Sequence, residues 1–373
     1  MEAWTYSRTG PYRQTLTLST SHPYPTFPPK PPFPSTAPKP EEWILISVSY
    51  AALNPADLVA LTSMPFFLHK TTSAVPCLDF TGVVLDVWSP TSSTPIFKKG
   101  DQVICTPPLP HLLSTGSGGL QKAIALPAKF CVPLPPSVPS IRDATGLFLT
   151  ACTADLQVSL SNLRPGQRVL IIGASGGVGT MAVQLARCQI GPSGYIVAVC
   201  SGRNRDLVLG LGADEVIDYT QHPGPSLAAH LSQRFGEEED KRFDNIIDTY
   251  GSQPLYTSCS SYLKPSGTYS AASIHYDSYR LWDLFRSVLT IASNTLWPKT
   301  PWLGGTGRTW KITSMMGATS EQMTRLSKML GEGKLKVVID SEWGWEDVHS
   351  ALDVLGSGHA AGKVLVRVNG EGF

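Results

Sequence analysis

A glycine-rich stretch and a basic stretch lie at the spacing needed to hold a dinucleotide. Val169–Ile172 is an apolar run that suits a buried parallel strand. The small residues Gly173-Ala174-Ser175-Gly176-Gly177-Val178-Gly179 follow, and an amphipathic run from Thr180 to Cys188 begins a helix. Strand, turn and helix make the half-unit that sets a pyrophosphate on the N–H groups of a helix N-terminus. Ala174-x-Gly176-x-x-Gly179 keeps two of the three fingerprint glycines and has Ala at the first. Ser175, Gly176, Gly177 and Val178 are the expected phosphate contacts. An ordinary strand-to-helix turn is the alternative, and the flanking strand and helix weigh against it.

The end of the next strand bears on which dinucleotide is held. Tyr195–Val199 is the second apolar strand, reached about twenty residues after the glycines. A site for NAD would carry Asp or Glu there to bind the ribose 2′-hydroxyl. This chain reads Cys200-Ser201-Gly202-Arg203-Asn204-Arg205, with no acid before Asp206. A carboxylate would repel a 2′-phosphate, whereas a hydroxyl and a guanidinium donate charge-assisted hydrogen bonds to it. The expected cofactor is NADPH, with Ser201, Arg203, Asn204 and Tyr219 about the 2′-phosphate. A solvated basic loop is the alternative.

These positions need an α/β scaffold. From about Thr153 to Ala272 strands (Val169–Ile172, Tyr195–Val199, Asn245–Asp248, Gly267–Ala271) alternate with helices, the pattern of a doubly wound parallel sheet. From Trp43 to Cys131 short strands and turns (Ile44–Tyr50, Gly82–Val87, Gln102–Cys105, Lys122–Leu126) read as a smaller β-rich domain. The tail returns to that style, with a helix at Ser320–Glu332, a strand at Val337–Ile339, a helix at about Trp345–Gly356 and a strand at Val364–Val368. The expected fold class is therefore α/β, a Rossmann doubly wound sheet plus a β-rich domain, divided as residues 1–152, 153–300 and 301–373. The proline-dense stretch from His22 to Pro40 excludes helix and central strand and reads as an extended surface loop.

Composition narrows the class. A chain of 373 residues exceeds what one core usually serves. A net charge of +1 makes no electrostatic case for nucleic acid or an acidic membrane surface. No run approaches the ~20 apolar residues of a membrane span, and Met1-Glu2-Ala3-Trp4 lacks the character of a signal peptide. The seven cysteines are scattered without a Cys-x-x-Cys pair, which suggests reduced thiols in a cytoplasmic protein. A monomer and a homodimer are equally compatible with all of this.

Short blocks in a fixed order then carry a resemblance. Asn54-Pro55-Ala56-Asp57, Asp79-Phe80-x-Gly82-Val83-Val84, Gly100-Asp101-x-Val103 and Leu149-Thr150-Ala151 come first. Ala174–Gly179, Gly212-Ala213-Asp214-x-Val216-Ile217-Asp218-Tyr219 and Gly362-Lys363-Val364 follow. In these blocks the chain resembles the medium-chain dehydrogenase/reductase superfamily, in its zinc-free quinone-reductase and enoyl-reductase branch. Fungal trans-acting enoyl reductases of polyketide pathways look similar in the same blocks. The resemblance covers nearly the whole chain and implies a GroES-like catalytic domain beside the Rossmann domain. It also implies that Lys363 and Val364 contact the cofactor.

Zinc alcohol dehydrogenases of that superfamily ligate a metal at the positions that correspond here to Asn54, Leu78 and the neighbourhood of Phe148–Thr150. Leu cannot ligate zinc. Without a Lewis acid a carbonyl lacks its polariser, whereas a conjugated alkene accepts hydride at its β-carbon and delocalises the charge. The resemblance thus implies an NADPH-dependent reductase of a conjugated C=C bond in an enone, enoyl thioester or quinone, with Asn54, Thr150 and Tyr50 lining the site. Asn54 has a second reading as the cap of the helix at Ala56–Thr62. A metal-free carbonyl or alcohol oxidoreductase, a pathway enzyme with a diverted reaction, and a non-catalytic NADPH-binding scaffold are the alternatives. A polyketide synthase is a conceivable partner.

Departures from the family pattern stand beside the matches. Val59 replaces a tyrosine that some quinone reductases carry, Cys77 replaces the usual glycine, and Leu120-Gln121-Lys122 replaces Ala-Glu-Tyr. The aromatics Tyr276, Tyr279, Trp282, Trp297, Trp302 and Trp310 fall in a stretch without a recognisable block. They suggest either a bulky apolar substrate or ordinary packing.

Overall fold

The first half of the chain is built on one long strand. Trp43–Leu53 is β-branched, aromatic and small by turns, and every residue in it is buried, because strands pair with it on both edges. The computed structural model describes residues 1–27, 41–89, 95–224, 226–275, 281–296, 305–313 and 318–370. In this part the strands are β1 (Ala3–Thr5), β2 (Thr17–Ser19), β3 (Trp43–Leu53), β4 (Phe80–Trp88), β5 (Gln102–Cys105), β6 (Ala123–Pro127) and β7 (Cys131–Pro133). β1 and β2 form a separate antiparallel pair.

The middle of the chain changes style. β8 (Arg168–Ile172), β9 (Tyr195–Cys200), β10 (Glu215–Asp218), β11 (Phe243–Asp248), β12 (Leu263–Ala271) and β13 (Thr309–Ile312) pair in the order β10-β9-β8-β11-β12-β13. Every pairing is parallel. Val169, Leu170 and Ile171 have no exposed surface at all, as expected of strands covered on both faces. On one face Leu170, Ile172, Val197, Val199 and Ile217 pack with Leu227, Leu231 and Phe235 of the helix Ser226–Gly236. The strand order reverses direction between β8 and β11, the point at which a doubly wound sheet opens a crevice at its carboxyl edge.

The tail adds β14 (Ile339–Trp343) and β15 (Lys363–Arg367) to the first sheet, whose order is β14-β15-β3-β4-β5-β7, with β6 pairing β3 as well. β15 runs parallel to β14 and antiparallel to β3. The chain accordingly divides into two units, Met1–Leu149 with Met315–Phe373 and Thr150–Ser314. The division expected at residue 300 would cut β13 from the sheet it edges; its pairing with β12 keeps it in the second unit.

Two local expectations change. Val337 and Val338 are buried but not in a strand, which starts only at Ile339. The helix expected from Trp345 opens with a 3-10 turn at Trp345–Asp347 and becomes α-helical at Val348–Gly356. Of the proline-dense loop, residues 28–40 lie outside the described residues, as do Tyr276, Tyr279, Trp297 and Trp302. Trp310 is buried against Tyr256, whereas Trp282 is 70% exposed on the helix Leu281–Leu296. No helix among the described residues is long and apolar enough to cross a membrane.

Candidate active site

In the second unit the glycine turn is tied to two strands. Gly173 and Ala174 both donate their N–H groups to the Val199 carbonyl, at 3.1 and 3.0 Å. The helix Gly177–Ile190 then starts with Gly176 as its cap. A Cβ on Gly179 would lie 2.1 Å from the Gly173 carbonyl oxygen, so only glycine lets the first helical turn pack so closely on the strand end. The helix opens on Gly177, Val178 and Gly179, whose N–H groups have no partner within the helix and face whatever lies beyond its N-terminus. These features fit a pyrophosphate. Ser175 Oγ accepts from Asn204 Nδ2 at 3.0 Å, so the turn after β8 and the loop after β9 are joined.

Ser201, Arg203 and Tyr219 follow β9 and β10, whose ends pair through Cys200 and Asp218. Arg203 is exposed and Tyr219 37% exposed. The reading of this edge from the second strand alone missed a carboxylate supplied by the third. A Cβ on Gly202 would lie 2.4 Å from Asp218 Oδ2. Asp218 Oδ1 accepts from the Thr220 N–H at 2.9 Å and from its hydroxyl at 2.7 Å. These bonds, the hydroxyl foremost, hold the Asp218 carboxyl below the usual carboxylate range and direct its charge to the backbone.

The first unit hides a polar cluster at the end of β3. Asn54, Asp57, Asp79 and Lys363 are at most 3% exposed. Asn54 caps the helix Pro55–Thr62, its N–H donating to Asp57 Oδ2 at 2.8 Å. Its side chain is fully engaged: Oδ1 accepts from Lys363 Nζ at 2.5 Å, and Nδ2 donates to the Ala52 carbonyl at 2.9 Å. Lys363 Nζ also lies 3.4 Å from Asp79 Oδ2. The Cys77 N–H donates to Asp57 Oδ1 at 3.1 Å, which Cys77 achieves with a φ of 81°, the left-handed region that suits the family's glycine. Burial pushes Asp57 up to about 7 and raises Asp79, against the pull of the nearby Lys363.

The expected site residues therefore separate. Lys363 and Val364, expected as cofactor contacts, are buried at the start of β15: the Lys363 ammonium is engaged by Asn54 and Asp79, and Val364 is 1% exposed opposite Leu53. Tyr50 is 5% exposed on β3 and pairs with Thr81 and Arg367. Thr150 is 2% exposed and opens the second unit. Asn54 and Leu78 do not suit a catalytic zinc, since Leu78 has no donor atom and the Asn54 oxygen already faces an ammonium. Among the described residues no three His, Cys, Asp or Glu side chains are grouped to hold a metal ion.

A six-stranded parallel sheet in this order, with a glycine turn after its central strand, has the architecture of a dinucleotide-binding domain. Residues 40–136 match the alcohol dehydrogenase GroES-like domain family and residues 211–366 the zinc-binding dehydrogenase family. The chain is 30% identical to a Penicillium oxalicum protein named trans-enoyl reductase poxH, covering 100% of this chain and 98% of that one. It is 31% identical to medium chain reductase pydE of an Acremonium species, with 99% of each covered. It is also 31% identical to the chloroplastic quinone-oxidoreductase QR1 of Triphysaria versicolor, covering 87% of this chain and 89% of that one. The solved quinone oxidoreductase of Coxiella burnetii has the same fold, with a TM-score of 0.73 over 99% of both chains at 20% identity. The chain belongs to the medium-chain dehydrogenase/reductase superfamily, in its enoyl-reductase and quinone-reductase branch.

Proposed function

We propose that this chain reduces a conjugated C=C bond, in an enone or enoyl thioester, with NADPH and without zinc, in a secondary-metabolite pathway. The observation that carries the reading is the full-length likeness to proteins named trans-enoyl reductase and quinone oxidoreductase. The two names denote redox chemistry on an enoyl group and on a quinone. NADPH, when bound, supplies a hydride from C4 of its nicotinamide. Ser175, Gly176, Gly177 and Val178 hold the pyrophosphate, and Ser201, Arg203, Asn204 and Tyr219 surround the 2′-phosphate. Thr150 is the residue of the second unit expected at the reacting centre. Asn54 serves as the cap of its helix and as the Lys363 contact, with no free amide to offer.

On this reading a carrier-bound substrate of a polyketide synthase is the favoured acceptor class. The test is reduction of enones, enoyl thioesters, quinones and aldehydes with C4-deuterated NADPH, products read by mass spectrometry and NMR. Deuterium at the β-carbon of the alkene is expected. Deuterium at a carbonyl carbon with the alkene intact would move the chain to the alcohol-forming class.

A further inference from the structure

One buried carboxylate holds the loop that leaves β11. Asp248 has no exposed surface. It accepts from the N–H groups of Tyr250 (2.9 Å), Gly251 (2.7 Å) and Ser252 (2.8 Å), and from the Tyr269 hydroxyl (2.6 Å). Gly251 has a φ of 87°, and a Cβ there would lie 2.4 Å from the Ser273 carbonyl oxygen. The His275 N–H donates to the Gly251 carbonyl at 3.0 Å. The segments leaving β11 and β12 therefore run against each other and set Tyr250 and His275 side by side. Their rings stack with centroids 4.1 Å apart, and the Tyr250 hydroxyl oxygen is 2.9 Å from His275 Nε2. Tyr250 is 48% exposed, so this arrangement adds little to the core.

Its place in the sheet gives it a use. A dinucleotide lies across the switch point between β8 and β11, with its 2′-substituted ribose at the end of β9. The nicotinamide half then falls over the carboxyl ends of β11 and β12, where Tyr250 and His275 stand. Resting on the function proposed above, we infer that Tyr250 is the proton donor of the reduction and that His275 is its relay. Hydride adds to the β-carbon as the alkene electron pair moves into the conjugated carbonyl, giving an enolate. The α-carbon takes the Tyr250 hydroxyl proton, and the enolate electrons form the new C–H bond. His275, whose Nε2 lies 2.9 Å from the phenol oxygen, relays a proton from water back to the phenolate. The alkene gains one hydride and one proton, and the nicotinamide cofactor is oxidised by one hydride.

The test uses an α-methyl enone and an α-methyl enoyl thioester, whose products carry a stereocentre at the α-carbon. Tyr250→Phe is expected to lower kcat about a hundredfold and to randomise the α-carbon while leaving the β-carbon face unchanged. NADPH affinity, read by fluorescence titration without any acceptor, should stay within twofold. His275→Gln should lower kcat less and keep the α-selectivity, because the phenol remains. A Tyr250→Phe enzyme that keeps both rate and α-selectivity would overturn the inference. So would a more than tenfold loss of NADPH affinity, which would make the ring a cofactor contact. Failure of the underlying reading shows separately, as wild-type protein that leaves every alkene intact.

Discussion

Asp57 and Lys363 are the residues on which the first unit's polar interior turns. Two carboxylates and one ammonium share that interior, and burial pushes Asp57 from 3.8 up to about 7. The folded protein therefore binds a proton between about pH 4 and pH 7 that the unfolded chain has released. This contribution to stability is whole below pH 4 and declines as the pH rises to about 7, by at most about 1.4 kcal/mol per pH unit. Asp57→Asn should remove that slope, and urea midpoints from pH 4 to 8 read the difference from wild type. Lys363→Met leaves the cluster without its cation and should cost about 3–5 kcal/mol, measured by the same denaturation. A smaller loss would mean that the carboxylates take up protons to compensate. Asn54 had two readings in the sequence, substrate contact or helix cap. The partner that engages its side chain comes from 309 positions away, which no local pattern could disclose.

At the scale of elements, the strand–turn–helix at 168–190 was the most legible part of the chain. The apolar run became β8 and the small residues its turn, and the helix began a little earlier than Thr180, at Gly177. Gly179→Ala would bring a Cβ within van der Waals overlap of the Gly173 carbonyl, so the helix start must shift. NADPH affinity should fall at least tenfold in a fluorescence titration, with a loss of stability of about 1–3 kcal/mol. Arg203→Ala, on the neighbouring loop, should weaken NADPH about ten- to a hundredfold through one lost charge-assisted contact and leave NADH unchanged. Equal wild-type affinities for the two cofactors would reverse that reading and point to Asp218 as the discriminating group. The Asp218 carboxylate escaped the sequence reading because it arrives from a third strand, placed beside Gly202 only by parallel pairing of β9 with β10.

At the scale of the whole chain, the first unit is assembled from two distant segments. β15 sits between β14 and β3 in its sheet and carries Lys363. A chain ended at Gly358 would lose that strand and leave the Tyr50–Leu53 end of one β3 edge unpaired. It should accumulate as insoluble protein or unfold without a cooperative transition in a thermal scan. A soluble truncation with a sharp transition would show that the Tyr50–Leu53 end of β3 needs no partner on that side.

Periodicity and turn chemistry, together with short family blocks, were enough to determine the α/β class, the strand–glycine turn–helix unit and the superfamily branch. Those properties are local: a strand, a glycine that admits a close backbone, and a helix start lie within some twenty residues of one another. The tertiary structure alone decided what the buried charges do. It gave Lys363 to Asn54 and Asp79, returned β13 to the parallel sheet, and set Tyr250 against His275 on the ends of two strands. Each of these pairings joins groups from separate strands or segments, and a charge or a hydrogen bond acts through space, not along the chain.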